Sequence, residues 1–147
     1  KDDGDRLSLA FNTFFSDLYV PPPSEREMNL RFVIAGKGRP PEEAFATLQL
    51  VLHPGETLDM DGKTVTLSSE AVDMSGAVVR HHGWTISADP TARLVWPVYP
   101  FNPYQNAPEK TLDHAVAALS VPLKLKSQPG RYVRANEQEI AFKVSVP

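Results

Sequence analysis

The sequence predicts an all-β fold, namely an antiparallel two-sheet β-sandwich of about eight or nine short strands joined by proline-rich loops. Three observations predict it. Apolar residues recur at every second position in several segments, as they do in strands that bury one face. The 147 residues include 14 prolines, which suit loops between short strands better than helices. The pair Asp61-Gly62 lies between two strand-like segments, and it is a strong signal for a β-hairpin.

The first strand is expected in the segment RLSLAFNTFFSDLYV, residues 6–20. Alternating Leu7 and Leu9 favour a strand, although Phe14 and Leu18 also have helical spacing. The next alternating segment places Leu30, Phe32 and Ile34 on one face of a second strand. Residues 40–46, with the sequence PPEEAFA, are expected to form a short helical turn, because proline followed by glutamates is typical of a helix start.

A strand through Leu48, Leu50 and Leu52 precedes the clearest hairpin in the chain. A type I′ turn needs positive φ at both central positions, and Asp-Gly satisfies that need. If Asp61 and Gly62 form this turn, Met60 faces Lys63 and Leu58 faces Val65. The segment TLDMDGKTVTL, residues 57–67, is therefore predicted to be two antiparallel strands.

Three further segments complete the predicted sheets. Residues 77–98 read as one hairpin about the turn sequence ADPT. The segment DHAVAALSVPLKLK is compatible with a helix or a strand; Pro122 favours a strand from about residue 115, after a helical turn at 109–113. The C-terminal segment alternates cleanly, and its apolar positions are Ile140, Phe142, Val144 and Val146.

Composition narrows the function classes. We expect residues 1–147 to form a single domain, since about 100–200 residues per domain is usual. The absence of cysteine excludes thiol catalysis, disulfides and thiolate metal sites. A net charge of −3 without a basic cluster argues against a nucleic-acid partner, and no apolar segment is long enough for a membrane span. The compartment stays open, with a periplasmic or secreted location slightly favoured.

The aromatic and proline-rich segment 96–106 is the best candidate for a binding surface. Prolines at every third position hold its large side chains in an extended backbone, and rigid aromatic rings stack well on flat apolar faces such as those of sugars. The alternative is structural, with these rings packing at the open end of the sandwich. The predicted ligand-binding residues are Trp84, Trp96, Tyr99, Phe101, Asn102, Tyr104, His81 and His82.

The adjacent His81 and His82 are not expected to share a metal ion. Neighbouring residues on a strand point to opposite faces, so the two imidazoles would not meet at one metal ion unless Gly83 introduced a bulge. We expect one histidine to be packed or hydrogen-bonded and the other to be exposed. No metal ligand, cofactor or catalytic residue is assigned, because the paired carboxylates look solvated; these are Glu42 and Glu43, Asp59 and Asp61, and Glu137 and Glu139.

The segment LQLVLHPGETLDMDGKTVTL, residues 48–67, followed by HHGW at 81–84, resembles the C-terminal β-sandwich of heparinase-type polysaccharide lyases. The resemblance implies a β-sandwich. It implies no site residue, because the catalytic groups of such lyases lie largely on a separate helical domain.

These observations favour a non-catalytic recognition or accessory domain that presents residues 96–106 to a ligand, with a carbohydrate as one candidate, or to a protein partner. Two alternatives remain open. One is a structural or assembly protein that pairs with another chain through an edge strand, for example residues 140–146. The other is an enzyme that uses His81 or His82 with a carboxylate brought near by folding.

Overall fold

A computed structural model describes residues 4–10, 14–20, 22, 26–40, 42–100, 110–126 and 137–147. These residues form two antiparallel sheets, which confirms the predicted all-β class. The described residues contain twelve strands, more than expected: β1 Asp5–Ala10, β2 Phe14–Val20, β3 Glu27–Gly36, β4 Phe45–Leu50, β5 Thr57–Met60, β6 Lys63–Thr66, β7 Val72–Ser75, β8 Val78–His81, β9 Trp84–Ser87, β10 Arg93–Val98, β11 Val116–Pro122 and β12 Gln138–Ser145. A 3₁₀ turn at Leu112–His114 precedes β11.

The larger sheet has eight strands in the order β1-β2-β3-β12-β9-β8-β5-β6, and the smaller has four in the order β4-β11-β10-β7. Alternating side chains of both sheets meet in a single core, as expected of two packed layers. The largest fully buried side chains come from both sheets: Trp96, Phe142, Met60, Leu67, Leu94, Leu119, Val79 and Val121. In the part of the chain that is described, no helix has the length and apolar character needed to cross a bilayer.

The Asp61-Gly62 hairpin forms in the predicted register. Asp61 and Gly62 have φ of 49° and 82°, and Met60 pairs with Lys63 as Leu58 pairs with Val65. The Asp61 carboxylate also accepts hydrogen bonds from the backbone N–H groups of Ala77 and Val78, at 2.9 Å each. The turn therefore also fixes the segment that leads into β8.

Other local predictions have mixed outcomes. The N-terminal segment is extended, as favoured, but it forms two strands that pair with each other. The 3₁₀ turn followed by β11 confirms the helical turn and strand expected around residue 115. The helical turn expected at 40–46 is wrong, because residues 42 and 43 form a bend and β4 begins at Phe45. This segment has no apolar residues at helical spacing that would pack a helix against the core.

The predicted hairpin spanning residues 77–98 is also wrong. β8 pairs with β9, whereas β10 pairs with β7 and β11 in the smaller sheet. The Asp-Pro turn therefore carries the chain from one sheet to the other. Asp89 Oδ1 accepts hydrogen bonds from the Thr91 N–H at 2.8 Å and the Thr91 hydroxyl at 2.6 Å, and these contacts fix the crossing.

The C-terminal strand is internal to its sheet. β12 pairs with β3 along its whole length and with β9 through Lys143, Val144 and Ser145. The prediction that residues 140–146 form an exposed edge is therefore wrong, although the alternation predicted there is correct. Among the described strands the edges of the larger sheet are β1 and β6, and all six residues of β1 are exposed.

Candidate functional site

The tip of the β8–β9 hairpin places both neighbouring histidines at the same end of the sheet. His81 is the last residue of β8 and lies opposite Trp84. His82 and Gly83 form the two-residue connection with φ of 43° and 84°, which matches a type I′ turn. His82 therefore lies in a turn and not in a strand. The two imidazole centroids are 4.0 Å apart. The expectation that the two rings point to opposite faces of a strand is therefore wrong.

Glu56 lies beside the two histidines at the hairpin tip. It follows the turn that begins at His53, whose backbone N–H donates a hydrogen bond of 2.7 Å to Glu56 Oε2. β5 runs antiparallel to β8, with Met60 opposite Val79, and this register brings the residues before β5 beside the hairpin tip. Glu56 Oε1 lies 3.6 Å from His81 Nε2 and 3.8 Å from His82 Nε2.

The two histidines differ in environment. The His81 side chain is 5% exposed, whereas that of His82 is 75% exposed; one is packed and the other is exposed, as the sequence predicted. His81 Nδ1 lies 2.8 Å from the Thr57 carbonyl oxygen. Because that oxygen can only accept a hydrogen bond, Nδ1 carries the hydrogen. In the neutral ring, His81 Nε2 is then a free acceptor directed toward the Glu56 carboxylate.

The backbone N–H of His53 is the main cause that lowers the pKa of the Glu56 carboxyl below its ordinary value. The neighbouring imidazoles of His81, His53 and His82 lower this pKa further, while desolvation opposes them. Glu56 is therefore an anion at neutral pH, held by the chain beside two imidazole nitrogens. The sequence could not reveal this carboxylate, because the pairing of β5 with β8 is not between consecutive strands.

A shallow cleft of about 400 Å³ adjoins the hairpin tip on the outer face of the larger sheet. Its floor contains a row of polar side chains on four neighbouring strands. Asp59 lies opposite Thr64 and Arg80, and Arg80 lies opposite Thr85. Arg80 Nη1 is 3.5 Å from Asp59 Oδ1. The cleft thus offers hydroxyl, carboxylate and guanidinium groups in fixed positions.

The structure describes residues 96–100 of the predicted aromatic surface. Trp96 is in β10 and is 1% exposed, and its indole N–H donates a 2.8 Å hydrogen bond to the Ser68 carbonyl. Trp96 belongs to the core, so the expectation that its ring is presented to a ligand is wrong. Tyr99 is half-buried against the core. Trp84 is half-buried, with its ring centroid 5.3 Å from that of His81, whereas Phe101, Asn102 and Tyr104 lie outside the described residues.

A second groove, of about 610 Å³, crosses the opposite end of the same sheet face. The Arg31 guanidinium carbon lies 4.1 Å from the ring centroid of Tyr19, and Arg31 also contacts Glu139 at 3.4 Å. Arg6 is held by Asp17 at 2.7 Å. Both arginines of this groove are thus held by neighbouring carboxylates.

Comparisons with protein-family models, with curated proteins and with solved structures give no match. The cleft and the adjoining Glu56–His81–His82 group bring hydroxyl, carboxylate, guanidinium and imidazole groups together. Three of the sequence-predicted binding residues, His81, His82 and Trp84, lie at this site.

Proposed function

We propose that this protein is a recognition domain that binds a carbohydrate in the cleft beside the β8–β9 hairpin. The observation that carries the proposal is the polar row Thr64, Asp59, Arg80 and Thr85, which lie directly opposite one another across β6, β5, β8 and β9. Neighbouring strands are about 4.8 Å apart, so the row spans about 14 Å. That length accommodates a short oligosaccharide.

The chemistry of the row suits sugar hydroxyls. A hydroxyl both donates and accepts hydrogen bonds, a carboxylate accepts them, and a guanidinium donates several in a fixed plane. The row contains all three kinds of group, since Arg80 and Asp59 lie between two threonines. Because these side chains project from paired strands, little ordering is needed when the ligand binds, and preorganisation of this kind increases affinity.

The open shape of the cleft supports binding in preference to catalysis. Preorganised donors and charges are most effective in catalysis when water is excluded from the site. Here Arg80, Thr64 and His82 are exposed to solvent. Sugars are recognised well in such wet, shallow sites because ordered water can bridge to the protein at modest cost.

The test compares two arginines in similar cross-strand pairs. Arg80 pairs with Asp59 on the larger sheet, and Arg93 pairs with Asp73 at 2.7 Å on the smaller sheet. Binding partners would be sought on an oligosaccharide array and measured by titration calorimetry. We expect Arg80→Ala to weaken binding at least about tenfold, because hydrogen bonds to charged groups contribute about 1.5–3 kcal/mol. Arg93→Ala should bind as the unaltered protein does.

Either of two results would reject carbohydrate recognition in this cleft. The first is the absence of binding to any neutral or acidic oligosaccharide on the array. The second is equal binding by the Arg80→Ala and Arg93→Ala variants, which would place the ligand elsewhere on the protein.

The edge strand β1 favours a second candidate function, assembly with another copy of this chain. β1 pairs only with β2 among the described strands, and Leu7 and Leu9 are 52% and 44% exposed. Such an edge can pair with the same strand of a second molecule. If it does, sedimentation velocity will show a dimer that is lost in the variant Leu7→Lys/Leu9→Lys and retained in Val51→Lys, which alters an exposed valine elsewhere. A monomer at all concentrations would reject assembly.

A further inference from the structure

We propose that Glu56, His81 and His82 bind a divalent transition-metal ion, with Zn²⁺ the best chemical match. The ligand atoms are Glu56 Oε1 and the Nε2 atoms of both histidines. Such a site goes beyond carbohydrate recognition and does not depend on it, because it uses none of the four residues of the polar row.

The separations suit one shared ion. Zinc lies about 2.0–2.1 Å from a histidine nitrogen or a carboxylate oxygen, so tetrahedral ligand atoms are about 3.3–3.4 Å apart. Glu56 Oε1 is 3.6 Å from His81 Nε2 and 3.8 Å from His82 Nε2. One ligand atom from each of the three residues lies within 4.8 Å of the other two. Both Glu56 separations are therefore within about half an ångström of the zinc spacing, and the separation between the two histidine ligand atoms is at most 4.8 Å.

Neither imidazole makes a short hydrogen bond to Glu56 Oε1. A hydrogen bond between a protonated imidazole and a carboxylate is about 2.7–2.9 Å long. Both contacts to Glu56 Oε1 are longer than that, at 3.6 Å and 3.8 Å. These separations leave room for an ion between the carboxylate oxygen and the two nitrogens.

Two of the ligands are already oriented by contacts through their other polar atoms. The Thr57 carbonyl oxygen accepts from His81 Nδ1 at 2.8 Å, which leaves Nε2 free to bind. The His53 backbone N–H donates to Glu56 Oε2 at 2.7 Å, which leaves Oε1 free. Metal-binding histidines and carboxylates usually make this kind of outer hydrogen bond, since it fixes both the tautomer and the orientation.

The third ligand completes an open site. His82 occupies the first position of the hairpin turn, where its side chain is 75% exposed. Two histidines, one glutamate and a fourth position open to solvent form a donor set that zinc uses in proteins. Imidazole nitrogen favours Zn²⁺, Cu²⁺ and Ni²⁺, whereas Mg²⁺ and Ca²⁺ prefer sites made of oxygen atoms. The bound ion would also tie the start of β5 to the β8–β9 hairpin.

The experiment is a calorimetric titration of Zn²⁺ into protein stripped with a chelator, with Mg²⁺ as the comparison ion. We expect one Zn²⁺ per chain, a Kd in the micromolar range or below, and no heat from Mg²⁺. Replacing Zn²⁺ by Co²⁺ should give the intense visible absorption of a four-coordinate ion. In thermal unfolding, Zn²⁺ at a hundred times its Kd should raise Tm by about 5–10 °C.

The variants are chosen to preserve the fold. His82→Asn removes the exposed imidazole and keeps a residue that tolerates positive φ. Glu56→Gln removes the anionic ligand while its amide oxygen can still accept from the His53 N–H. Each should weaken Zn²⁺ binding at least about tenfold. The matched control is His114→Asn, because His114 is an exposed histidine of the 3₁₀ turn and is outside the group.

Circular dichroism of each metal-free variant would verify that the sheet is intact. The proposal is overturned if the unaltered protein binds no Zn²⁺, or if His82→Asn binds as tightly as His114→Asn. Equal weakening of binding by all three substitutions would also overturn it, since that indicates loose association with surface histidines. Arg80→Ala, which tests carbohydrate binding, should leave Zn²⁺ affinity unchanged, so failure of one proposal can be told from failure of the other.

Discussion

At the residue scale, Trp96 illustrates how one side chain can be assigned to the wrong environment. The prolines that follow it favour an extended loop, and that pattern suggested exposure. Leu94 and Trp96, however, occupy alternating positions of β10, and both are buried. The alternation is visible in the sequence, but the sequence alone does not show that β10 continues as far as Val98. Burial of the indole follows from strand length, which is set by pairing with β7 and β11.

Replacing Trp96 should therefore affect stability more than binding. Truncation of a large buried aromatic residue to alanine costs about 3–5 kcal/mol. We expect Trp96→Ala to lower the free energy of unfolding by that amount in urea titrations. Trp84→Ala, at a half-buried position, should cost clearly less. Equal losses for the two variants would contradict the assignment of Trp96 to the core.

Glu56 should make stability depend on pH in the acid range. Its folded-state pKa is lowered, chiefly by the His53 backbone N–H, so the unfolded chain takes up a proton at a higher pH than the folded chain does. The stability contributed by Glu56 is fully present above about pH 4.5 and is lost as the pH falls through the lower folded-state value.

We expect the free energy of unfolding of the metal-free protein to decline less between pH 5 and pH 3 in Glu56→Gln than in the unaltered protein. Urea titrations at several pH values would measure this. The pKa of Asp89 is lowered mainly by the Thr91 hydroxyl. Because Asp89 is present in both proteins, the free energy of unfolding should still decline with falling pH in the variant. Identical pH profiles would show that Glu56 gains nothing from its contacts in the fold.

At the element scale, the turns show which structure can be predicted locally. The Asp61-Gly62 hairpin was predicted down to its register, because two adjacent residues specify both the turn type and the pairing beside it. The His82-Gly83 turn has similar backbone angles. It was not predicted because histidine is a weaker turn signal, and the segment around it is equally compatible with one continuous strand.

Asp61 also has a role that turn type does not reveal, since its carboxylate accepts from Ala77 and Val78. Asp61→Gly would satisfy the turn but remove both hydrogen bonds, at a cost of about 1–3 kcal/mol. Asp61→Asn retains one carbonyl oxygen as an acceptor, so we expect a smaller loss. Chemical denaturation of the three proteins would test the order. If Asp61→Gly is as stable as the unaltered protein, these hydrogen bonds contribute nothing.

At the scale of the whole molecule, the fold class could be predicted but the arrangement of the sheets could not. Alternation at Ile140, Phe142 and Val144 shows that one face is buried, yet it contains no information on which strands lie on either side. Only the pairing of β12 with β3 and β9 makes it internal. The same limit applies to the candidate site, because Glu56 meets His81 and His82 through strands that are distant in sequence.

Resistance to local opening should vary across the larger sheet. β1 is exposed throughout and lies at the edge, whereas β12 is internal and contains the fully buried Phe142. Few buried apolar contacts make local opening easy. In native-state hydrogen exchange we expect amides of β1 to exchange orders of magnitude faster than those of β12 at Ile140 and Phe142. Comparable protection in the two strands would require a partner that covers β1.

The position of β12 has a consequence for synthesis of the protein. β12 joins the unit β1-β2-β3 to the unit β9-β8-β5-β6, although it is the last of these strands to be translated. Until residues 138–145 leave the ribosome, the larger sheet of a nascent chain would consist of two separate parts. The sides of β3 and β9 that later pair with β12 would be unpaired. Those open sides can pair with other chains, so the interval before β12 is released is when this protein should depend most on chaperones.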